Sequence, residues 1–157
     1  MKKYSTSIKE AGYTDLNSMK SLYYYLFETD LSGSDSQLRS VWDEIISDSR
    51  VHPFILFADG IAASSCTLSI IPNLTWGARP YGLIENVVTK KEFGKNGFAG
   101  EILKHALNFA WKKNCYKVML LTGRKEDYVM RLYEHAGFKA GDKKGLAAYN
   151  PDFSPKN

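Results

Sequence analysis

Apolar residues recur at helical spacing after Asp15. Leu16, Met19, Leu22, Tyr23 and Leu26 fall on one face and predict a helix from about Thr14 to Glu28. The same period returns from Asp35 to Asp48 with Leu38, Val41, Trp42, Ile45 and Ile46, so a helical pair joined by Ser32-Gly33-Ser34 is expected. The period then changes. Phe54 to Phe57 and Ile61 to Ile70 are β-rich runs separated by Asp59-Gly60, a strong signal for a tight hairpin. Pro72-Asn73 stops the second run, and Tyr81 to Thr89 supplies a third strand. Gly94-Lys95-Asn96-Gly97 leads into a helix from Ala99 to Lys113, whose apolar face is Ile102, Leu103, Ala106, Leu107, Phe109 and Ala110. Tyr116 to Leu121 reads as a short buried strand. Strand, glycine turn, helix and strand make a βαβ unit, so the strands flanking that helix should run parallel.

A last helix from about Glu126 to His135 ends at Ala136-Gly137, where glycine can take the left-handed cap. Phe138 and the Ala147-Ala148-Tyr149 region are weak closing strands. The tail from Pro151 to Asn157 is expected to fray, with Phe153 as its one packing residue. An antiparallel meander followed by βαβ predicts an α/β fold, a twisted mixed sheet with helices on both faces. There is no repeat, low-complexity tract or interdomain linker, and 157 residues suit one domain, which at this size buries roughly 68–70% of its unfolded surface.

Composition changes this picture little. With 44% hydrophobic and 24% charged residues the chain is of ordinary globular type. A formal charge of +4, with no run of Lys or Arg longer than two, argues against a nucleic-acid partner and fits a local anion pocket better. Cys66 and Cys115 lack a CxxC or His-rich setting, so neither a metal site nor a redox motif is expected; they read as small buried hydrophobes. Lys2 and Lys3 are followed by polar residues and no apolar run approaches the ~20 residues of a membrane span, so a soluble, reduced, cytoplasmic protein with no membrane partner is expected.

The glycine turn is where chemistry can be read. A helix start presents unpaired N–H groups and a positive dipole end, which bind phosphate oxygens without particular side chains. Lys95 adds a cation, Gly97 permits close backbone approach, and Ala99 and Gly100 leave room over the first turn. GKNGFAG is neither a Walker loop nor a GxGxxG turn, so by itself it is equally a plain strand-to-helix turn. The absence of Ser or Thr after Lys95 also sets aside a phosphate-loop nucleotide-binding protein.

Ile84-Glu85-Asn86-Val87-Val88-Thr89, followed after four residues by Gly94-Lys95-Asn96-Gly97-Phe98-Ala99 and Ile102-Leu103, resembles the acetyl-CoA signature of the GNAT superfamily of N-acetyltransferases. Leu132-Tyr133-Glu134-His135-Ala136-Gly137-Phe138 resembles that superfamily's second landmark, a Leu/Phe-Tyr-x-x-x-Gly-Phe helix end. Within it, Ile-Glu-Asn-Val-Val and Cys115-Tyr116-Lys117-Val118-Met119-Leu120 are most similar to glucosamine-phosphate N-acetyltransferases and their bacterial relatives. The resemblance covers roughly residues 60 to 140 and implies one acetyltransferase domain over 1–157, with acetyl-CoA as co-substrate and a primary amine as acceptor. There are two departures. Gly94 stands where the signature has Arg or Gln, leaving the backbone as the pyrophosphate cradle, and Glu126 stands where many members contact the cofactor through Asn.

Aminolysis of a thioester needs a neutral amine, a stabilised oxyanion and a protonated leaving group. Glu85, a carboxylate in an otherwise apolar strand, is the candidate base, tuned by burial and acting through a water; the alternative is an outward-facing, solvated Glu. Tyr133 is the candidate acid, its phenol having a reference pKa of ~10 against ~8.5 for a thiol; the alternative is a core aromatic beside Val129 and Met130. Val87, Val88 and Thr89 would pair with the pantetheine arm as an added strand and polarise the acetyl carbonyl, provided the strand splays from its parallel neighbour. Gly94, Lys95, Asn96, Gly97, Phe98, Ala99, Gly100 and Glu126 complete the cofactor candidates, and Arg79, Tyr81 and Asn86 are the acceptor-side candidates. Tyr23-Tyr24-Tyr25 could border the acceptor pocket, although a helix sends successive residues to different faces. His135 reads as a capping cation, and Arg124 and Lys125, which follow a strand end and could meet a phosphate, read first as surface charges. An acyl-CoA-binding regulatory module without catalysis is the rival class. The identity of the acceptor and the oligomeric state stay open, a homodimer being the commonest soluble assembly.

Overall fold

The structure, a computed structural model, describes residues 3–26 and 31–152. Five strands lie in chain order: β1 (Thr6–Glu10), β2 (Val51–Ala58), β3 (Ile61–Ile71), β4 (Tyr81–Thr89) and β5 (Val118–Leu120). The first four are antiparallel and β5 runs parallel to β4, as the βαβ order requires. Strand alternation sends Phe54, Leu56, Ala58, Cys66, Leu68 and Ile84 to one face, where α4 (Phe98–Lys112) and α5 (Asp127–Ala136) bury them. Ile55, Phe57 and Ala62 go to the other, under α1 (Leu16–Leu26) and α2 (Asp35–Ser47). The fold is therefore α/β with helices on both faces.

The helical pattern of α4 is realised with Ile102, Leu103 and Ala106 fully buried, and burying a side chain such as Leu or Ile contributes roughly 1.5–3 kcal/mol. Ser34 caps α2 by accepting from the Gln37 N–H while the Gln37 side chain accepts from the Ser34 N–H. Asp59 and Gly60, with φ of 49° and 79°, make the expected hairpin turn. Gly137 caps α5 at φ 111°.

Several expectations need correction. β1 was not foreseen, because Thr6-Ser7-Ile8-Lys9-Glu10 is an edge strand with only Ile8 half-buried and no apolar alternation. β2 starts three residues before Phe54 and contains Pro53; the ladder to β1 ends at Glu10↔Phe54, so the missing N–H of Pro53 breaks no bond there. The first helix begins as a 3-10 turn, Tyr13–Asp15, and its expected end at Glu28 lies outside the described residues. β5 is shorter than Tyr116 to Leu121 and half-buried, because it is the sheet edge. The closing strands at Phe138 and Ala147 to Tyr149 do not form. Gly141 takes φ 90°, Leu146 and Tyr149 are exposed, and Phe138 packs edge-on against Tyr133 instead. Phe153 lies outside the described residues. Three successive left-handed residues, Trp76, Gly77 and Ala78, turn the chain at α3 (Thr75–Ala78), a feature nothing in the sequence periodicity indicates.

Candidate active site

The site is built where β4 and β5 part. Their ladder covers only Gly82↔Val118, Leu83↔Met119 and Ile84↔Leu120, yet β4 continues to Thr89. A bulge lies in that continuation. Ser65 pairs with Val88 and Thr67 with Glu85, so β4 has one residue more than β3 across this interval, and Asn86 takes φ 54°. Asn is among the few residues that visit the left-handed region readily. The extra residue inverts the alternation. Ile84 packs on the α4 face, but Val88, four residues on, packs on the α1 face and Val87 on the α4 face.

The inversion also redirects the backbone. Gly82 donates its N–H to the Lys117 carbonyl on the β5 side. Beyond the bulge Lys90 donates to the Ala63 carbonyl, and the Val88 carbonyl accepts from the Ser64 hydroxyl at 2.8 Å, so both face β3. Alternation then points the N–H and C=O of Val87 and Thr89 into the gap between β4 and β5. Of the three expected pantetheine partners, two face the gap and Val88 faces β3.

The glycine turn closes one end of this gap. Lys95 and Gly97 both have positive φ, and Gly97 is the N-cap of α4 at φ 81° with no side chain capping the helix. A Cβ built on Gly97 would have nothing within 4 Å, and no side chain caps the first N–H groups of this 15-residue helix. Phe98 is buried beside Phe93 and Tyr4, anchoring the turn, while Ala99 and Gly100 are half-buried. The Asn96 amide donates to the carbonyls of Phe93 and Gly94, both at 3.1 Å, so it braces the turn from within. Gly94 and Lys95 are exposed. A polyanionic chain with an amide-bearing arm, which is the chemistry of CoA, fits these donors.

Tyr133 of α5 packs against the same apolar cluster as Val87 and Leu120 and lines a cavity of about 740 Å³ with Leu120, Thr122 and Met130. Burial pushes its phenol above the ordinary value, while the Thr122 hydroxyl and the Arg124 charge act the other way. It therefore remains a proton donor at neutral pH. Glu126 is the N-cap residue of α5, exposed and paired with Arg124 at 2.8 Å. Arg124 also hydrogen-bonds Tyr128.

Glu85 differs from expectation. It is exposed, on the α1 face directly opposite Thr67. Asn86 lies next to it at the bulge. Tyr81 is at the far end of β4 beneath the Lys117 ammonium, and Arg79 donates to the carbonyls of Asn114 and Cys115, tying the β3–β4 connection to the end of α4. The structure thus places Glu85, Asn86, Val87 and Thr89 on the stretch of β4 beyond its ladder to β5, packs Tyr133 against the same apolar cluster as Val87, and leaves Tyr81 and Arg79 at the opposite end of the strand. Sequence reasoning missed Thr67, which flanks the bulge from β3, and Ser64, which bonds the Val88 carbonyl beyond it; an Asn inside a β-branched strand was the available signal for the bulge itself. Cys66 and Cys115 are buried free thiols, as expected, with burial pushing Cys66 up to about 12. Among the described residues, no group of three or more His, Cys, Asp or Glu side chains is placed to hold a metal ion, and no helix is long and apolar enough to cross a membrane.

Comparison with known proteins agrees with this geometry. The sequence profile of the acetyltransferase (GNAT) family matches residues 16–138. A glucosamine 6-phosphate N-acetyltransferase from Trypanosoma brucei brucei is 31% identical over 84 residues, 54% of this chain and 55% of that protein, so the matched stretch spans about half of the relative. A solved Agrobacterium tumefaciens protein, provisionally described as an acetyltransferase, superposes with a TM-score of 0.86 at 35% identity, covering 92% of this chain and 99% of its own. An aminoglycoside N-acetyltransferase solved with CoA shares the fold at a TM-score of 0.77 and 18% identity, over 97% and 98% of the two chains.

Proposed function

Because this chain belongs to the acetyltransferase (GNAT) family, an acetyl-CoA-dependent class of acyltransferases, we propose that it moves an acetyl group from acetyl-CoA to a primary amine by direct attack. The observation that carries the reading is the opening of β4 from β5 beyond Ile84↔Leu120, into which Val87 and Thr89 turn their backbone groups above the uncapped start of α4. The CoA bound to the aminoglycoside acetyltransferase of the same fold supports CoA as the occupant. That co-substrate supplies an activated acyl carbon and a thiol leaving group.

The residues divide the work. N–H groups of the Gly97 to Gly100 turn hold pyrophosphate, with Lys95 beside them. Val87 and Thr89 pair with the amide-bearing arm, and a Val87 N–H polarises the carbonyl under attack. As the amine nitrogen bonds to the acyl carbon and the carbon–sulfur bond breaks, Tyr133 gives its proton to the sulfur. The proton lost by the amine leaves through water to Glu85, whose exposure suits a water relay better than direct contact. The products are an acetamide and a free thiol. Glu126, held by Arg124, leaves the cofactor to these backbone donors.

The acceptor is proposed as a small-molecule amine, amino sugar phosphate or amino acid, or a peptide amine. The 31%-identical relative makes glucosamine 6-phosphate the first probe. The test is free-thiol release from acetyl-CoA across glucosamine 6-phosphate, an alkyl amine, an amino acid and a lysine-containing peptide, with mass spectrometry of the product. Amine-dependent thiol release is expected with at least one class. Tight acetyl-CoA binding without release for any of them would favour a catalytically silent acyl-CoA-binding module.

A further inference from the structure

The bulge at Asn86 governs which backbone groups enter the gap, so what holds it matters. A left-handed Asn is tolerated but is not the lowest-energy state of the chain, and such conformations persist only where the surroundings fix them. The holder comes from the opposite face of the sheet. Tyr23, in the second half of α1, reaches over β3 so that its hydroxyl stands 3.3 Å from the Thr67 hydroxyl. Thr67 is the residue that immediately precedes the register shift and pairs with Glu85. Burial pushes the same phenol up, while Thr67 and the Asn86 side chain act on it in the other direction. One phenol therefore ties α1 to β3 at the residue where the bulge of β4 begins. Tyr24 is exposed and Tyr25 packs against the apolar cluster under α1, whereas the Tyr23 hydroxyl meets Thr67 at the edge of the bulge.

We propose that Tyr23 is a positioning residue for acetyl transfer: through Asn86 and Thr67 it holds the β4 bulge in the register that turns the Val87 N–H toward the thioester carbonyl. The inference rests on the acetyl-transfer reading, and its effect is on the carbonyl, not on acetyl-CoA affinity. Tyr23→Phe keeps the ring and its packing and removes only the hydroxyl. Loss of one hydrogen bond of ordinary strength is expected to lower kcat about tenfold, with the KM for acetyl-CoA and the melting temperature nearly unchanged.

The decisive readout needs no acceptor. Isotope-edited infrared spectroscopy of carbonyl-labelled acetyl-CoA bound to the protein reports polarisation of the thioester directly. In the wild type the carbonyl stretch is expected to fall on binding; in Tyr23→Phe the fall should be smaller. Asn86→Gly, which accepts positive φ but cannot reach the phenol, should give a similarly reduced fall, and Tyr23→Phe added to it should change nothing further. A Tyr23→Phe protein that binds acetyl-CoA with the full wild-type shift would overturn the proposal and make Tyr23 a packing residue. Additive losses in the double variant would also overturn it. A wild type that binds without any shift removes the Val87 contact and the proposal with it, whereas a wild type that fails to bind acetyl-CoA refutes the cofactor reading itself. Should Tyr23→Phe not fold, the Asn86→Gly spectrum decides alone: an undiminished shift refutes the clamp.

Discussion

Replacing Gly97 by alanine separates cofactor binding from folding, because the structure supplies a matched control. Gly97 has φ 81° and Gly60 has φ 79°, and in both a Cβ would find nothing within 4 Å. Neither substitution produces a clash, so the cost in each case is torsional, about 1–2 kcal/mol for an L-residue in the left-handed region. For a chain of this size 1 kcal/mol moves the melting temperature by roughly 2–4 °C, so both variants should melt about 2–8 °C early. They differ in what the new methyl faces. At Gly97 it enters the open space at the start of α4, where the cofactor reading puts the pyrophosphate; at Gly60 it stands at the β2–β3 hairpin, which has no role in the site. Displacing one charge-assisted hydrogen bond is worth about 1.5–3 kcal/mol, so Gly97→Ala should weaken acetyl-CoA binding by about 10- to 100-fold. Gly60→Ala should not change it. Calorimetric titration with acetyl-CoA, alongside thermal melts, measures both. Equal melting losses with equal and undiminished affinities would remove the turn from the cofactor site.

Tyr133→Phe should lower kcat on the order of 10²–10⁴-fold while leaving acetyl-CoA affinity and melting nearly unchanged, and the deficit should shrink with an acyl donor whose thiol is more acidic; steady-state kinetics with two donors reads this out. Glu85→Gln should slow turnover chiefly below the pKa of the acceptor amine, so an unchanged pH–rate profile assigns Glu85 no part in proton removal. Burial alone would push the Asp15 carboxyl up, but the Gly12 N–H and the Lys9 ammonium at 2.9 Å outweigh it and hold it below the ordinary value. A lowered folded pKa stabilises above the unfolded value of about 3.9 and is lost as pH falls through the folded one, so Asp15→Asn should melt earlier at pH 7 and lose part of the acid slope below about pH 4. Ile102→Ala, at a site with no exposure, should cost about 2–5 kcal/mol in denaturant unfolding.

The helices and central strands were legible in the sequence because each carries its own period. Ile102, Leu103 and Ala106 mark α4, and Asp59-Gly60 marks the hairpin, by local rules alone. β1 was not legible because an edge strand with one half-buried residue, Ile8, needs no apolar alternation; its partner β2 specifies it. The turn, Tyr133 and the residues after the bulge could be assigned from motif and resemblance, but the parity of β4 could not. Asn86 reads as one more strand residue until the register with β3 is known, and only that register shows Val87 and Thr89 facing the gap and Val88 facing away. Glu85 was expected to be buried because its neighbours are apolar. Its exposure is a tertiary fact with no signature along β4 itself. Arg79 likewise looked free in sequence and proves to be spent on two backbone carbonyls.

The most direct test of the cofactor slot is amide hydrogen exchange of the whole chain with and without acetyl-CoA, resolved to single residues by NMR. Val87 and Thr89, together with Phe98 to Gly100, should become protected when acetyl-CoA is added, while Gly82 and Ile84, already on the β5 side of the intact ladder, should exchange as before. Protection confined to other parts of the chain, with Val87 and Thr89 exchanging at their free rate under saturating acetyl-CoA, would contradict the placement of the cofactor between β4 and β5.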